Sequence, residues 1–421
     1  MSKSLLKASN LLSISKFFAN LQINFTNHTY LSRQKNPYLC TMKLFSKNSI
    51  IVLLFLLIFT NLNELSAKGN DTIFKKYNPQ IEIRPSYGFI LVHHPEMNLF
   101  RAHFPIFEAS IQNVTYGRHY YQSRLNYPAF GISFLYSGLG EMPEIGRVFA
   151  VYPFLRFNFL NSTKNEINFK FGIGPGYITK IYDAVDNPKN TFIGAHVNAT
   201  IHLSLEYNRF ITDRLSLSAF IGFTHCSNGA RRAPNNGINI AHAGVSTKYF
   251  IHEPKTRLPK PDIDKQQFKG LTKKNFSYYL SFTYALKDID EYIGYDKIWS
   301  VYNVQMYFMK SFSKVSKLGI GLDFVYDMTD KEILKFKGIE YNDFEILKTG
   351  INLSYEICFN ETSFFVVAGT HLSGKEMSEG YLYQKICAKQ NLSKHFFITC
   401  SLTTHFGWAD FFTMGAGFKI N

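Results

Sequence analysis

From Val197 to Asn208 the chain reads Val-Asn-Ala-Thr-Ile-His-Leu-Ser-Leu-Glu-Tyr-Asn, every odd position apolar and every even one polar. Alternation with a period of two marks a strand whose faces meet different media. A soluble sandwich seldom sustains it for so long. A membrane barrel with a polar lumen requires it, at about 9–11 residues per span. Ile167, Phe169, Phe171 and Ile173 against Asn168, Lys170, Gly172 and Gly174 repeat the pattern. From residue 79 onward no helical period competes with it.

Eight such segments precede residue 252, at roughly 80–92, 103–114, 128–137, 147–161, 166–179, 197–210, 214–227 and 237–250. Residues 161–166 and 210–214 read as tight turns, whereas 180–196 and 227–237 are longer loops. Outer-membrane barrels show this asymmetry, with short inner turns and long outer loops. The loop at 115–127 is long for its side. The proline-bearing run from Glu253 to Pro261 opens a linker or extended inner-side loop, 253–274. About eight more segments fill 275–421, with 330–343 as a long loop. The expected fold is therefore all-β, a transmembrane antiparallel barrel. Two tandem eight-stranded barrels fit the count, as does one barrel of about 14–16 strands. Fused tandem barrels are uncommon, which favours the single larger one.

Composition agrees with a lipid-facing surface. Aromatics make up 16% of the chain, with 41 Phe and 26 Tyr but only 2 Trp. The one strong apolar run, Ile50–Thr60, follows Met42-Lys43-Leu44-Phe45-Ser46-Lys47 and precedes Leu65-Ser66-Ala67. A basic flank, a short apolar core and a small-residue site read as a secretory signal cleaved after Ala67, with translation starting at Met42. Residues 1–67 are then a leader, and 68–252 and 275–421 are two barrel portions. Without the leader's seven Lys/Arg and one acid, 39 basic and 30 acidic residues remain, a net of +9. A basic exported protein suits anionic lipid head groups, and export disfavours nucleic acid as a partner. Cys226, Cys358, Cys387 and Cys400 show no zinc spacing, and no metal site is expected. Cys387 and Cys400 flank a turn and can meet across strands; otherwise the four are small buried hydrophobes.

One stretch carries candidate chemistry: Phe223-Thr224-His225-Cys226-Ser227-Asn228, followed by Gly229-Ala230-Arg231-Arg232-Ala233-Pro234-Asn235-Asn236-Gly237-Ile238-Asn239. Positions i and i+2 of a strand share a face, so His225 and Ser227 stand side by side. Leu215, Leu217, Ala219, Ile221 and Phe223 form the apolar stripe of the same strand, with Phe220 an exception on the polar side. Parity puts His225 and Ser227 on the lipid face, near the outer rim, and Asn239 of the returning strand can share it. Polar groups aimed at lipid cost stability unless they have a task. Ser227 is the candidate nucleophile and His225 its base, with Asn228 or loop N–H groups as oxyanion donors. Arg231 and Arg232 suit lipid phosphates. His-x-Ser is a common spacing, Arg-Arg in a loop is usually solvated, and Asn-Gly is ordinary turn chemistry. By parity Cys226 faces the lumen and packs there. His93, His94 and His242 read as structural or solvent-facing. Thr404-His405-Phe406-Gly407-Trp408 echoes the motif in the second half, without a serine.

The stretch resembles the PagL-type lipid A 3-O-deacylases, outer-membrane barrels with a His-x-Ser-Asn motif followed by Pro-Asn-x-Gly. His225, Ser227, Asn228, Pro234, Asn235 and Gly237 match it. The chain also looks like the longer acyloxyacyl-hydrolase-like proteins of that group. The resemblance covers about residues 79–251 and implies a serine esterase without a cofactor that removes an ester-linked acyl chain from lipid A of lipopolysaccharide. The family's orienting acid is a glutamate, and Asn239 stands in its place. Asparagine can orient a histidine but cannot stabilise imidazolium by charge. A non-catalytic or degenerate barrel, or a phospholipase acting on another outer-leaflet lipid, are the competing readings; the oligomeric state is left open.

Overall fold

In the computed structural model, residues 77–93, 95–162, 164–258, 276–289, 297–406 and 408–420 are described. The leader and cleavage site expected in 1–67, and most of the 253–274 linker, lie outside them. Among the described residues, sixteen strands form two closed antiparallel barrels of eight. The first holds β1 Pro79–Ile90, β2 His103–Val114, β3 Ala129–Ser137, β4 Val148–Asn161, β5 Asn165–Ile178, β6 Val197–Phe210, β7 Leu215–Ser227 and β8 Ile238–Phe250. The second holds β9 Phe276–Lys287, β10 Trp299–Ser313, β11 Ser316–Asp327, β12 Leu347–Phe359, β13 Thr362–Ser373, β14 Leu382–Asn391, β15 Phe396–His405 and β16 Trp408–Ile420.

The single larger barrel, favoured because fused tandem barrels are uncommon, does not form; of the two architectures that fit the strand count, the tandem pair does. Ile81 pairs with Tyr249 and Phe89 with Ala241, so β8 returns to β1 and closes the first barrel. Phe418 pairs with Leu280, closing β16 onto β9. Closure removes both edges that would otherwise stay unpaired in lipid.

Period-two burial follows the sequence pattern. In β9 it alternates strictly between exposed and buried over twelve residues. Outward-facing Ile83, Tyr87, Phe107, Leu205, Leu217, Ile221 and Val245 are exposed, as a lipid-facing band requires. Inward-facing polar groups neutralise one another. In the first lumen Arg84 meets Glu206 at 2.5 Å, Glu82 at 3.1 Å and Glu108 at 3.0 Å. Arg156 meets Glu82 at 2.6 Å, Lys248 meets Glu206 at 3.0 Å, and Lys170 pairs with Glu108. Phe220, the apolar exception, sits inside because the Arg84 guanidinium lies 3.8 Å over its ring.

Two features depart from the sequence reading. The 330–343 loop begins as a helix, α2 (Met328–Phe336), capped by the Asp327 carboxylate accepting from the Thr329 N–H. The long inner-side loop carries α1 (Tyr120–Arg124) and grips the start of the linker. There the Leu258 N–H donates to Tyr116 O at 2.7 Å, and Tyr127 donates to Leu258 O. That grip accounts for its length. All four described cysteines are free and buried, so Cys387 and Cys400 form no disulfide; Cys387 lies opposite Ser401 and Cys400 opposite Ala388.

Candidate functional site

The His225 motif lies where β7 and β8 reach the long-loop end of the first barrel. Register sets His225 opposite both Ile201 and Asn239, and Ser227 opposite Ala199. Thr224 and Cys226 point into the lumen: Thr224 Oγ1 contacts His202 Nδ1 at 3.0 Å, and Cys226 Sγ lies 3.4 Å from Thr200 Oγ1. The positions between them, His225 among them, alternate outward with Ile221, which is 64% exposed.

His225 Nδ1 lies 2.6 Å from Asn239 Oδ1. An amide oxygen accepts only, so Nδ1 carries the proton and Nε2 keeps its lone pair. Asn239 Nδ2 reaches His93 Nδ1 at 3.1 Å, and His93 Nε2 reaches Asn236 O at 2.9 Å. His93 therefore joins the site, although it comes from the loop after β1 and its sequence neighbourhood marks no such role. His242 does not join: its ring faces the lumen, with Nε2 3.2 Å from Thr224 Oγ1. His94 lies outside the described residues. Gly237 (φ +76°) passes beside the base, where a Cβ would stand 2.8 Å from His225 Cε1.

Ser227 is 3% exposed. Its strand position puts its Cα about 6.6 Å from that of His225. Among the described residues no hydrogen bond joins Ser227 Oγ to the ring.

Asn228 is committed to the loop. Its N–H donates to Asn235 Oδ1 at 2.8 Å, its Nδ2 donates to Arg232 O at 2.8 Å, and its Oδ1 accepts the Arg232 N–H at 3.2 Å. The neighbouring N–H groups of Gly229 and Ala230 make no hydrogen bond among the described residues; they are the donors the loop has to spare beside Ser227. The Pro-Asn-x-Gly turn docks on the β5–β6 loop: the Gly194 N–H donates to Pro234 O at 2.7 Å and the Gly237 N–H to Phe192 O at 3.0 Å. Arg231 and Arg232 are half-buried in the same loop. Burial, and then the adjacent Arg232, pull the Arg231 guanidinium below its ordinary value. No acid pairs with Arg231 among the described residues. No cluster of three or more His, Cys, Asp or Glu able to hold a metal occurs among them either.

Comparison with known proteins follows the two barrels. The profile described as lipid A 3-O-deacylase (PagL) matches residues 108–248, and that described as acyloxyacyl hydrolase, C-terminal domain, matches 276–421. Among solved structures, the chain resembles the outer membrane enzyme PagL (13% identity, 40% of this chain and 99% of that one, TM-score 0.28). It also resembles Neisserial surface protein A (7% identity, 41% and 97%, TM-score 0.30). A mutant Rhodopseudomonas blastica porin aligns over 81% of this chain and 100% of its own (9% identity, TM-score 0.15). The chain matches no curated protein sequence. With two closed barrels matched in turn by these two profiles, the chain belongs to the PagL-type lipid A 3-O-deacylase and acyloxyacyl-hydrolase-like family of bacterial outer-membrane β-barrels.

Proposed function

We propose that the protein is a serine esterase that hydrolyses an ester-linked acyl chain of lipid A in the outer leaflet. One observation carries the reading: His225 Nδ1 and Asn239 Oδ1, 2.6 Å apart, on the outward face at the long-loop rim. A polar pair placed there in a lipid-facing stripe has no packing purpose. Ser227, two residues on, is the nucleophile. Its Oγ attacks the acyl carbonyl while His225 Nε2 takes the proton. The Gly229 and Ala230 N–H groups receive the oxyanion, which takes the loop N–H groups rather than Asn228 from the two alternatives the sequence offers. The same proton then passes to the departing sugar hydroxyl, and water releases the fatty acid from the acyl-enzyme. Arg231 and Arg232 supply positive charge for the glucosamine phosphates. No step calls for a cofactor.

The test is mass spectrometry of lipid A incubated with the folded protein. Loss of one acyl chain supports the reading, and Ser227→Ala should lower turnover by at least about 10³-fold, as removing a serine nucleophile does. Unchanged lipid A would overturn it. Release of fatty acid from phospholipid alone would reassign the substrate. A degenerate, non-catalytic barrel is the second reading; the missing Ser227–His225 hydrogen bond and the Asn239 amide favour it. Catalytic hydrogen bonds often form only with substrate bound, so the assay decides between them.

A further inference from the structure

We infer that Asp288, at the rim of the second barrel, is a positioning residue for the esterase loop of the first; the inference rests on the function proposed above. Asp288 immediately follows β9 and is 5% exposed. Its backbone N–H donates to Ala230 O at 2.9 Å, and its Oδ2 accepts the Ala233 N–H at 3.1 Å. Its other oxygen, Oδ1, accepts the Ile289 N–H at 2.9 Å, which sets the carboxylate's orientation. One residue of the second barrel thus holds both ends of the segment 230–233, next to the candidate nucleophile.

Two further observations give this clamp a purpose. Ala230 has φ +57°, a left-handed conformation that a residue with a Cβ keeps only where its surroundings over-determine it. The Asp288 N–H on its carbonyl is such a constraint, and it fixes the peptide that follows the two spare donors, Gly229 N–H and Ala230 N–H. Gly229 (φ +65°) lies against the second barrel, where a Cβ would stand 3.1 Å from Phe412 Cβ. The clamp is anchored in its own barrel as well. Lys287, the residue before it, points into the second lumen, where its ammonium meets Asp410 at 2.5 Å and Asp327 at 3.1 Å. Lumen charge holds Lys287, Lys287 holds the end of β9, and Asp288 holds the loop. The second barrel, which lacks a serine motif of its own, thereby acts on the first barrel's chemistry.

The experiment uses the full chain folded into vesicles containing lipid A, comparing wild type, Asp288→Ala and Asp288→Asn. Heat-modifiable electrophoretic mobility reports that the barrels are closed. Loop order is read by hydrogen exchange at the Ala233 amide, and function by steady-state hydrolysis. Asp288→Ala should speed exchange at Ala233 and lower kcat about 10–100-fold, since a displacement of about 1 Å at a catalytic group costs that much. KM should stay within about twofold. Asp288→Asn, whose amide oxygen can accept the same N–H, should restore most of the rate. A folded Asp288→Ala protein whose Ala233 amide exchanges as slowly as wild type overturns the clamp. Faster exchange with kcat unchanged overturns its role in positioning. If wild type releases no acyl chain, the proposed function fails, and the exchange measurement still decides whether Asp288 orders the loop.

Discussion

The dipeptide Thr-His stands near the end of β7 and again at the end of β15, and the two copies face opposite ways. In β7, Thr224 contacts the lumen histidines and His225 alternates outward to Asn239. In β15, His405 turns inward. Its Nδ1 lies 2.9 Å from Leu382 O and its Nε2 3.2 Å from Asp410 Oδ2. Both nitrogens of that ring face oxygen acceptors, so it offers no lone pair to a hydroxyl. A shift of one residue in parity exchanges every inward and outward side chain of a strand. The same dipeptide is thereby a candidate base in one barrel and a strut in the other. Family resemblance between two segments says little about shared chemistry until parity is known.

The largest effect expected from this contrast is catalytic. His225→Ala should lower lipid A hydrolysis by about 10²–10⁴-fold, the usual worth of a general base, with the protein still folded. His405→Ala should show itself in stability, by about 1–3 kcal/mol, because Asp410 then loses a buried partner. Acyl-chain release by mass spectrometry and urea unfolding in vesicles read the two quantities. Equal losses of turnover in both variants would break the comparison.

The lumens differ as well. In the first, Glu206 contacts Arg84 and Lys248 within 3.0 Å and Arg156 Nη2 at 3.2 Å, so one acid touches three cations, which it shares with Glu82. In the second, the ion pairs stand as clusters along the barrel: Lys287 with Asp327 and Asp410, Asp323 with Lys385 at 2.6 Å, and Glu356 with Lys389 at 2.7 Å. Glu206→Gln should therefore destabilise by about 3–5 kcal/mol, the cost of stranding buried charge. Asp323→Asn strands only Lys385 and should cost about 1.5–3 kcal/mol, the worth of a charged hydrogen bond. Denaturant midpoints of the two variants test the ranking; a larger loss for Asp323→Asn would show that the clustered lumen is the more tightly coupled one.

Strands were legible because alternation is a local property: β2 and β6 fall on the expected residues, 103–114 and 197–210. The number of barrels was not legible. It depends on β8 choosing β1, a pairing of residues 150 or more apart, and the period-two pattern is the same whichever strand is chosen. Helix α2 was missed because nine residues carry little periodic signal, although Asp327 before Thr329 is a cap that sequence does show. At the candidate site, parity alone put His225 and Asn239 on one outward face. His93 and Asp288 carry no such mark. One enters from the loop after β1 and the other from the second barrel, so only the fold brings them near the motif.

The smallest effect concerns the group behind the base, and here the two barrels invert what catalysis would ask of them. His405, which has no serine, leans on the Asp410 carboxylate at 3.2 Å. His225, the candidate base, leans on a neutral amide. Imidazolium formed during acyl transfer gains more from a carboxylate than from an amide, because a hydrogen bond to a charged partner is worth about 1 kcal/mol more than a neutral one. Asn239→Glu places that charge on the outward face. It should raise kcat about fivefold, the rate equivalent of about 1 kcal/mol, and leave KM unchanged, since the charge acts only once the ring is protonated. Steady-state hydrolysis of lipid A by the two proteins measures it. An unchanged or lower kcat in a folded Asn239→Glu variant would mean that His225 draws its orientation from the Asn239–His93 relay as built, and that charge behind the base is not what limits the first barrel.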